Sequence, residues 1–470
     1  MKQMRHVGRL SVAVAMVALG VTACGSTSTT PPPSSPAASS APASASASAP
    51  SQKIGGSVTV WAEWTSTEQQ DFLAALTPFE TDTGITVNYT GKGSNMDQAL
   101  NAAVAGGAPP DVALVPDPGE LNTLASQGKL HDLSSILGSL TSNYSSAWNT
   151  LASHSGTLYG VWFKGANKNT IWYNPAEFAA AGITSAPGSW EDLVKDAQQL
   201  QAAGVTPFSL CSDIGWPIAD FWQNVYLKTA GADMYNKLAA HNIPWTDPSV
   251  TTAFTTMAQI VGQPSFLLGG TSGALSQKYP DCVDKVFPKA GTKPQAAMVF
   301  EGDFVVSEIT ANASTYTPVS SPTASGCTTD ASKGCYGFFD FPAPQADSAN
   351  QSAVQGAGDV AMLMNDTPQA EALMKYLAGP EGATIWAHAG GFTSPNNQVA
   401  SSAYPDPVSQ ADAQALVQAS AFVFSLDDLQ GSWESDLWSD MKNFVANPSS
   451  SNVSTIESTM ESQAKAALGH

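Results

Sequence analysis

Residues 57–89, SVTVWAEWTSTEQQDFLAALTPFETDTGITVNY, set the pattern for the chain. Ser57 to Trp61 read as a short strand. Thr67 with Gln70 three residues on fits a capping box, and Phe72, Leu73, Leu76 and Phe79 recur at helical spacing. Gly84 ends that helix, and Ile85, Val87 and Tyr89 alternate as a second strand. Next, Met96, Leu100, Ala103 and Val104 mark one face of a helix that stops at Gly106-Gly107, before Pro109-Pro110. Asp111–Val115 is a third strand, and helix signals at Leu121 and Leu124 close at Gly128. This β-α-β-α-β-α order with short connections is the rhythm of an α/β, doubly wound sheet.

The rhythm restarts after Tyr159. Thr170–Tyr173 is strand-like, Asn174-Pro175 opens a short helix, and Ser189 caps a longer one with Trp190, Leu193, Val194, Ala197 and Leu200 on one side. Pro207–Leu210, Ala297–Phe300, Tyr336–Phe341 and Val360–Met364 are further strands, and residues 218–262 are mostly helical. A helix runs from about Pro368 to Leu377, and the final stretch predicts helices over 411–424, 436–445 and 453–467. About 415 residues follow Ile54, more than one core usually holds, so two lobes are expected.

The N-terminus reads as an address. Lys2, Arg5 and Arg9 precede an apolar run, Leu10–Leu19, too short to span a bilayer. Val21-Thr22-Ala23-Cys24 resembles a lipobox, so residues 1–23 are expected to be a lipoprotein signal and Cys24 the lipidated residue. Residues 24–53, almost all Ser, Ala, Pro and Thr, have too little apolar bulk to fold and read as a disordered tether. Of five Cys, four then remain, and an oxidising compartment suggests two disulfides. Three pairings are possible. The short separation of Cys327 and Cys335 favours a local staple, which leaves Cys211 for Cys282. The formal charge of −20 loses three basic residues and no acid with the signal, giving −23. Such a chain, without a Lys/Arg cluster, does not suit nucleic acid and is repelled by a membrane surface beyond its lipid.

Several segments resemble a family. Phe79-Glu80 with Thr83-Gly84-Ile85, Gly106–Val112, Leu124–Leu130, Tyr173–Ile183, Ser189–Leu193 and Met298–Phe304 look, in that order, like signature pieces of the family 1 extracellular solute-binding proteins, the maltose-binding-protein-like group of ABC importers. The resemblance implies a periplasmic-binding-protein-like type II fold: two α/β lobes, a hinge, and ligand held between the lobes at the carboxyl ends of strands. It implies one lobe from 54–163 plus about 341–385 and another from about 164–340 plus about 386–470. Crossings would lie near 162–172 and 338–343 and in the 380s. It also implies a sugar ligand, a membrane permease as partner, and a monomer on the outer face of the membrane.

A sugar presents hydroxyls and flat C–H faces, so its site needs carboxylates, amides or Lys and aromatic plates. Candidates stand just after strands: Glu63 and Trp64, Asp117, then Trp162 and Lys164 at the first crossing. In the second lobe they are Asp213 and Trp216, then Glu301, Asp303 and Phe304, with Gly358 and Asp359 in a Gly-rich run. Phe392, Asp428 and Trp433 complete the set. An enzyme is not expected: Ser126–Lys129 fits S-x-x-K without its companion elements, and neither G-x-S-x-G nor H-E-x-x-H occurs. The scattered His residues give no metal spacing, and no cofactor motif is present. The alternatives are the same clamp with a non-sugar cargo such as a polyamine, a glycan-binding surface protein, or a secreted carbohydrate-active enzyme.

Overall fold

A computed structural model describes residues 53–418, 421–430 and 433–468. The signal, Cys24 and the tether up to residue 52 lie outside the described residues. The first sheet begins with β1 (Ser57–Ala62), β2 (Thr86–Gly91) and β3 (Val112–Val115). Val58, Val60 and Ala62 alternate inward along β1, whereas all four residues of the more central β3 are buried. A small hairpin, β4 (Ser153–His154) with β5 (Thr157–Leu158), precedes β6 (Gly160–Asn167). Two residues later β7 (Thr170–Tyr173) opens the second sheet, followed by β8 (Phe208–Ser209), β9 (Met298–Phe300), β10 (Thr317–Pro318) and β11 (Cys335–Asp340). The chain then returns to the first sheet as β12 (Ala353–Leu363) and β13 (Ala421–Phe424).

In the first sheet the order is β13-β12-β3-β1-β2, with β6 on β12; in the second it is β10-β11-β7-β9-β8. Strands β1, β2 and β3 are mutually parallel, while β12 runs antiparallel to both β3 and β6. Each sheet has its own apolar core. One gathers Trp64, Phe72, Phe163 and Trp386; the other gathers Phe221, Trp222, Phe254 and Phe444. Local chemistry explains several boundaries. Gly84 adopts φ 69° at the end of the helix Ser66–Thr83, Asn174 Oδ1 accepts from Ala176 N, and Ser189 Oγ accepts from Asp192 N.

The hand-over from β6 to β7 and the start of β12 are tied by buried polar groups. Gln355 Nε2 donates to Asp220 Oδ1 at 2.7 Å, and Asn224 Nδ2 donates to Gln355 Oε1 at 2.7 Å and to Lys168 O at 2.8 Å.

Four expectations change. The helix starts at Ser66, with Thr65 at its cap position and no side-chain cap bond, so Thr67 does not form a capping box. Gly356–Asp359 lies within an eleven-residue strand, not before one. Helix Pro407–Gln418 stops short of 424, and Ala421–Phe424 is a strand paired with Ala353–Gly356. The third crossing does not occur in the 380s. Trp386 of helix Pro380–Ala389 packs edge-on against Trp64 of the first core, at 4.8 Å, which keeps that helix there. The later β13 still extends the first sheet, so much of the 386–424 segment belongs with the first lobe. After Phe424 the chain contributes Leu426, Trp433, Leu437 and Phe444 to the second core.

The disulfides are Cys211–Cys282 and Cys327–Cys335, with sequence separations of 71 and 8. Loop-closure entropy assigns about 4 kcal/mol to the long bridge and about 2.5 kcal/mol to the short one. Paired Cys→Ala variants followed by urea unfolding should lose stability in that order, and the reverse order would refute the entropic account.

Candidate functional site

The carboxyl ends of β1 and β3 and the middle of β12 meet the second lobe at a cleft of about 270 Å³. The first lobe contributes Glu63, Glu68, Ser94, Asp97 and Pro116. The crossing strands contribute Lys164, Lys168, Gly358 and Asp359, and the second lobe supplies Trp216, Tyr279, Phe304, Glu308, Asp428, Glu434 and Trp438.

One wall is aromatic. Trp216, Tyr279 and Phe304 stand in mutual contact, with centroids 5.6 Å (Trp216–Tyr279), 5.6 Å (Tyr279–Phe304) and 6.1 Å (Trp216–Phe304) apart. Lysine ammoniums stand beside two of these rings, Lys164 Nζ at 5.7 Å from Phe304 and Lys168 Nζ at 5.5 Å from Trp216.

The facing groups are titratable and largely dry. Lys164 bonds Glu68 Oε1 at 2.5 Å; burial works against its charge, but Glu68 and Asp359 hold it protonated above the ordinary lysine range. Lys168 is held in the same way, against burial, by Asp220 at 2.9 Å and Asp428 at 3.6 Å. Burial, reinforced by the charge of Asp359, pushes the Glu63 carboxyl well up. Asp359 is pushed up to about 6, by burial against the pull of Lys164. It is only 5% exposed, and among the described residues its Oδ1 accepts no well-formed hydrogen bond, though the Glu63 and Trp64 side chains stand close enough to ease its charge. Such a site offers acceptors for hydroxyl hydrogens on one side and flat apolar faces on the other.

Of the candidates, Glu63, Lys164, Trp216, Phe304, Gly358, Asp359 and Asp428 come together on the cleft. The others do not. Trp64 is 1% exposed, wedged between Phe72 and Trp386. Trp162 donates its Nε1–H to Trp148 O and packs on Phe424. Asp117 turns back to cap the helix Pro118–Ser126, accepting from Gly119 N at 2.6 Å. Asp213 points outward toward Lys278, its side chain 42% exposed. Glu301 is buried, and its carbonyl accepts from Thr170 and Trp172. Asp303 is buried and accepts from Thr393. Phe392 stacks on Trp386, and Trp433 donates to Gln430 within the second core. At Gly358 a Cβ would stand 2.6 Å from Lys164 O, so this glycine answers the close approach of β6.

Glu68, Asp97, Lys168, Tyr279, Glu308, Glu434 and Trp438 were not among the candidates. Lys168 carried a usable signal, a second lysine four residues past Lys164 at the crossing. Glu68 reads from sequence as a first-turn acid complementing a helix dipole. Nothing local marks Tyr279.

Burial also pushes Asp97 up to about 6, and Asp220 and Glu120 up to about 7. These acids keep their protons in the native state to higher pH than when unfolded. Between about pH 4 and 7 the folded chain therefore binds more protons, and stability falls as pH rises through that window. The thermal midpoint of the ligand-free protein should be higher at pH 5 than at pH 7.5, and a rise over that interval would contradict these assignments.

Comparison with known proteins accords with this fold. The model of the bacterial extracellular solute-binding protein family matches residues 61–307. The osmoprotective compounds-binding protein GgtB of Synechocystis sp. is 30% identical over 409 residues, covering 85% of this chain and 91% of GgtB. The alpha-glucosides-binding periplasmic protein AglE of Rhizobium meliloti is 26% identical, over 85% of each chain. Among solved structures, the solute receptor AcbH, described as exclusive for β-D-galactopyranose, superposes with a TM-score of 0.75 at 19% identity, over 88% of this chain and 99% of that one. By sequence over half its length and by a full-length relative, the chain belongs to the bacterial extracellular solute-binding protein family.

Proposed function

We propose that this protein captures a sugar of one or two rings in the interlobe cleft and delivers it to the permease of an ABC importer. The observation that carries the reading is the pairing of the Trp216–Tyr279–Phe304 wall with a set of dry acceptors, above all the buried Oδ1 of Asp359. Aromatic rings take the C–H faces, while Glu63, Asp359 and the Lys164–Glu68 pair take hydroxyls. A volume of about 270 Å³ falls at the small end of ligand sites, which favours a short cargo. The names of GgtB, AglE and AcbH point the same way, toward osmoprotective compounds, alpha-glucosides and a galactopyranose. These similar proteins are binding proteins, and the reading assigns the carboxylates no catalytic step.

In the same reading the lobes close by a hinge at the crossings, and the closed form is what the permease recognises. Cys24 holds the protein to the outer membrane face through lipid, residues 24–53 act as the tether, and the protein works as a monomer.

Micromolar affinity corresponds to about −8 kcal/mol, within reach of a few hydrogen bonds and one or two stacked rings. A thermal-shift screen of the body from residue 54 should give a saturable rise with one short saccharide among sugars, polyols, polyamines and amino acids. Phe304→Ala should weaken that binding at least tenfold with the fold intact. Trp64→Ala, a core truncation, should instead cost about 3–5 kcal/mol of stability in urea. A rise with a polyamine alone would overturn the sugar.

A further inference from the structure

The cleft crowds together carboxyl groups that burial, and the charge of neighbouring acids, push well above the ordinary range at Asp428 and Glu434. Carboxylate oxygens of Asp427, Asp428 and Glu434 lie within 4.8 Å of one another. The charges that weigh most on Glu434 are further carboxylates, Asp117, Asp427, Asp428 and Asp97. The chain's general acidity does not account for this, because solvated acids cost little, whereas Asp428 is 4% exposed.

Two atoms there are open. Among the described residues, Asp428 Oδ2 accepts no hydrogen bond and stands 3.6 Å from Lys168, and Asp97 Oδ1 is buried without a donor. Lys168 is already committed to Asp220 at 2.9 Å. Sugar hydroxyls could occupy these acceptors, but only a cation would return the crowded carboxyls to their charged form.

We propose that the cargo is an amino-bearing saccharide, its ring on the Trp216–Phe304 wall and its ammonium group among Asp428, Glu434 and Asp97. The inference rests on the sugar reading above and narrows it. An ammonium carries three N–H donors, which Asp428, Glu434 and Asp97 could share. A bare divalent cation fits less well. Both oxygens of Asp427 are taken, Oδ1 by Gln223 Nε2 at 2.7 Å and Oδ2 by Trp438 Nε1 at 2.8 Å. The carboxylates that remain fall short of the six to eight oxygens calcium takes, and Lys168 already places a cation beside Asp428.

Calorimetric titration of the purified full chain with glucosamine against glucose, and with their β-1,4-linked dimers, tests this. The amino member of a pair should bind at least tenfold more tightly, about 1.4 kcal/mol. Glu434→Gln, at a half-exposed position, should narrow that ratio to below threefold. Asp428→Asn should do the same, with its folding checked by thermal unfolding. Equal or tighter binding of the neutral member would overturn the ammonium while leaving the sugar reading in place. An unchanged ratio in Glu434→Gln would overturn the placement, and no binding of any probe would overturn both readings. Saturable calcium binding lost in the same variants would give the cluster to a metal and overturn the proposal.

Discussion

The antiparallel pairing of β6 with β12 is the constraint on which the rest of the molecule depends. From Gly160↔Met362 to Asn167↔Gly356 the two strands lie side by side. Each strand adjoins a crossing to the second sheet, β6 running on into β7 and β12 following β11. Glycine at 358 permits the approach, since a side chain there would strike the Lys164 carbonyl. Lys164 and Asp359, partners in this ladder, therefore reach the cleft at a fixed separation. The first lobe then brings Glu63 and Glu68 to one side of them, and the second brings Phe304 and Trp216 to the other.

The electrostatics follow from that geometry. Both lysines are nearly dry, and each remains charged because carboxylates stand within a few ångströms. The carboxylates facing them bear the cost, and burial moves several toward or into the neutral range. Cargo that donates hydrogen bonds relieves this state without rearrangement of the frame, as expected where binding draws on preorganisation rather than area alone.

Sequence conveyed the frame better than the site, for physical reasons. Caps and breakers act locally, so Gly84, Asn174 and Ser189 could be read without a structure. Short spacing favoured the Cys327–Cys335 staple in the same way, and Cys211–Cys282 was the pair it left over. The Gly-rich run at 356–358 could not be placed inside a strand from sequence, because the need it meets, close contact with β6, comes from residues almost two hundred positions away. Successive residues at a strand end point to opposite sides, so Glu63 lines the cleft while Trp64 enters the core. Composition could nominate the pair but not separate it. Asp117 looked like a ligand contact for the same reason, and its own helix took it as a cap. Tyr279, Glu434 and Trp438 reach the cleft only through tertiary packing, which no local pattern carries.

The Cys211–Cys282 bridge lies beside the aromatic wall in both chain directions. Trp216 follows Cys211 by five residues, and Tyr279 precedes Cys282 by three. The sulfurs thus fasten together the two segments that present these rings, within a small core of their own that also contains Trp172. Reduction of this bridge would remove the covalent link between the two halves of the wall. Closing the bridge therefore ties the spacing of the two wall segments to the redox state of the compartment the chain folds in.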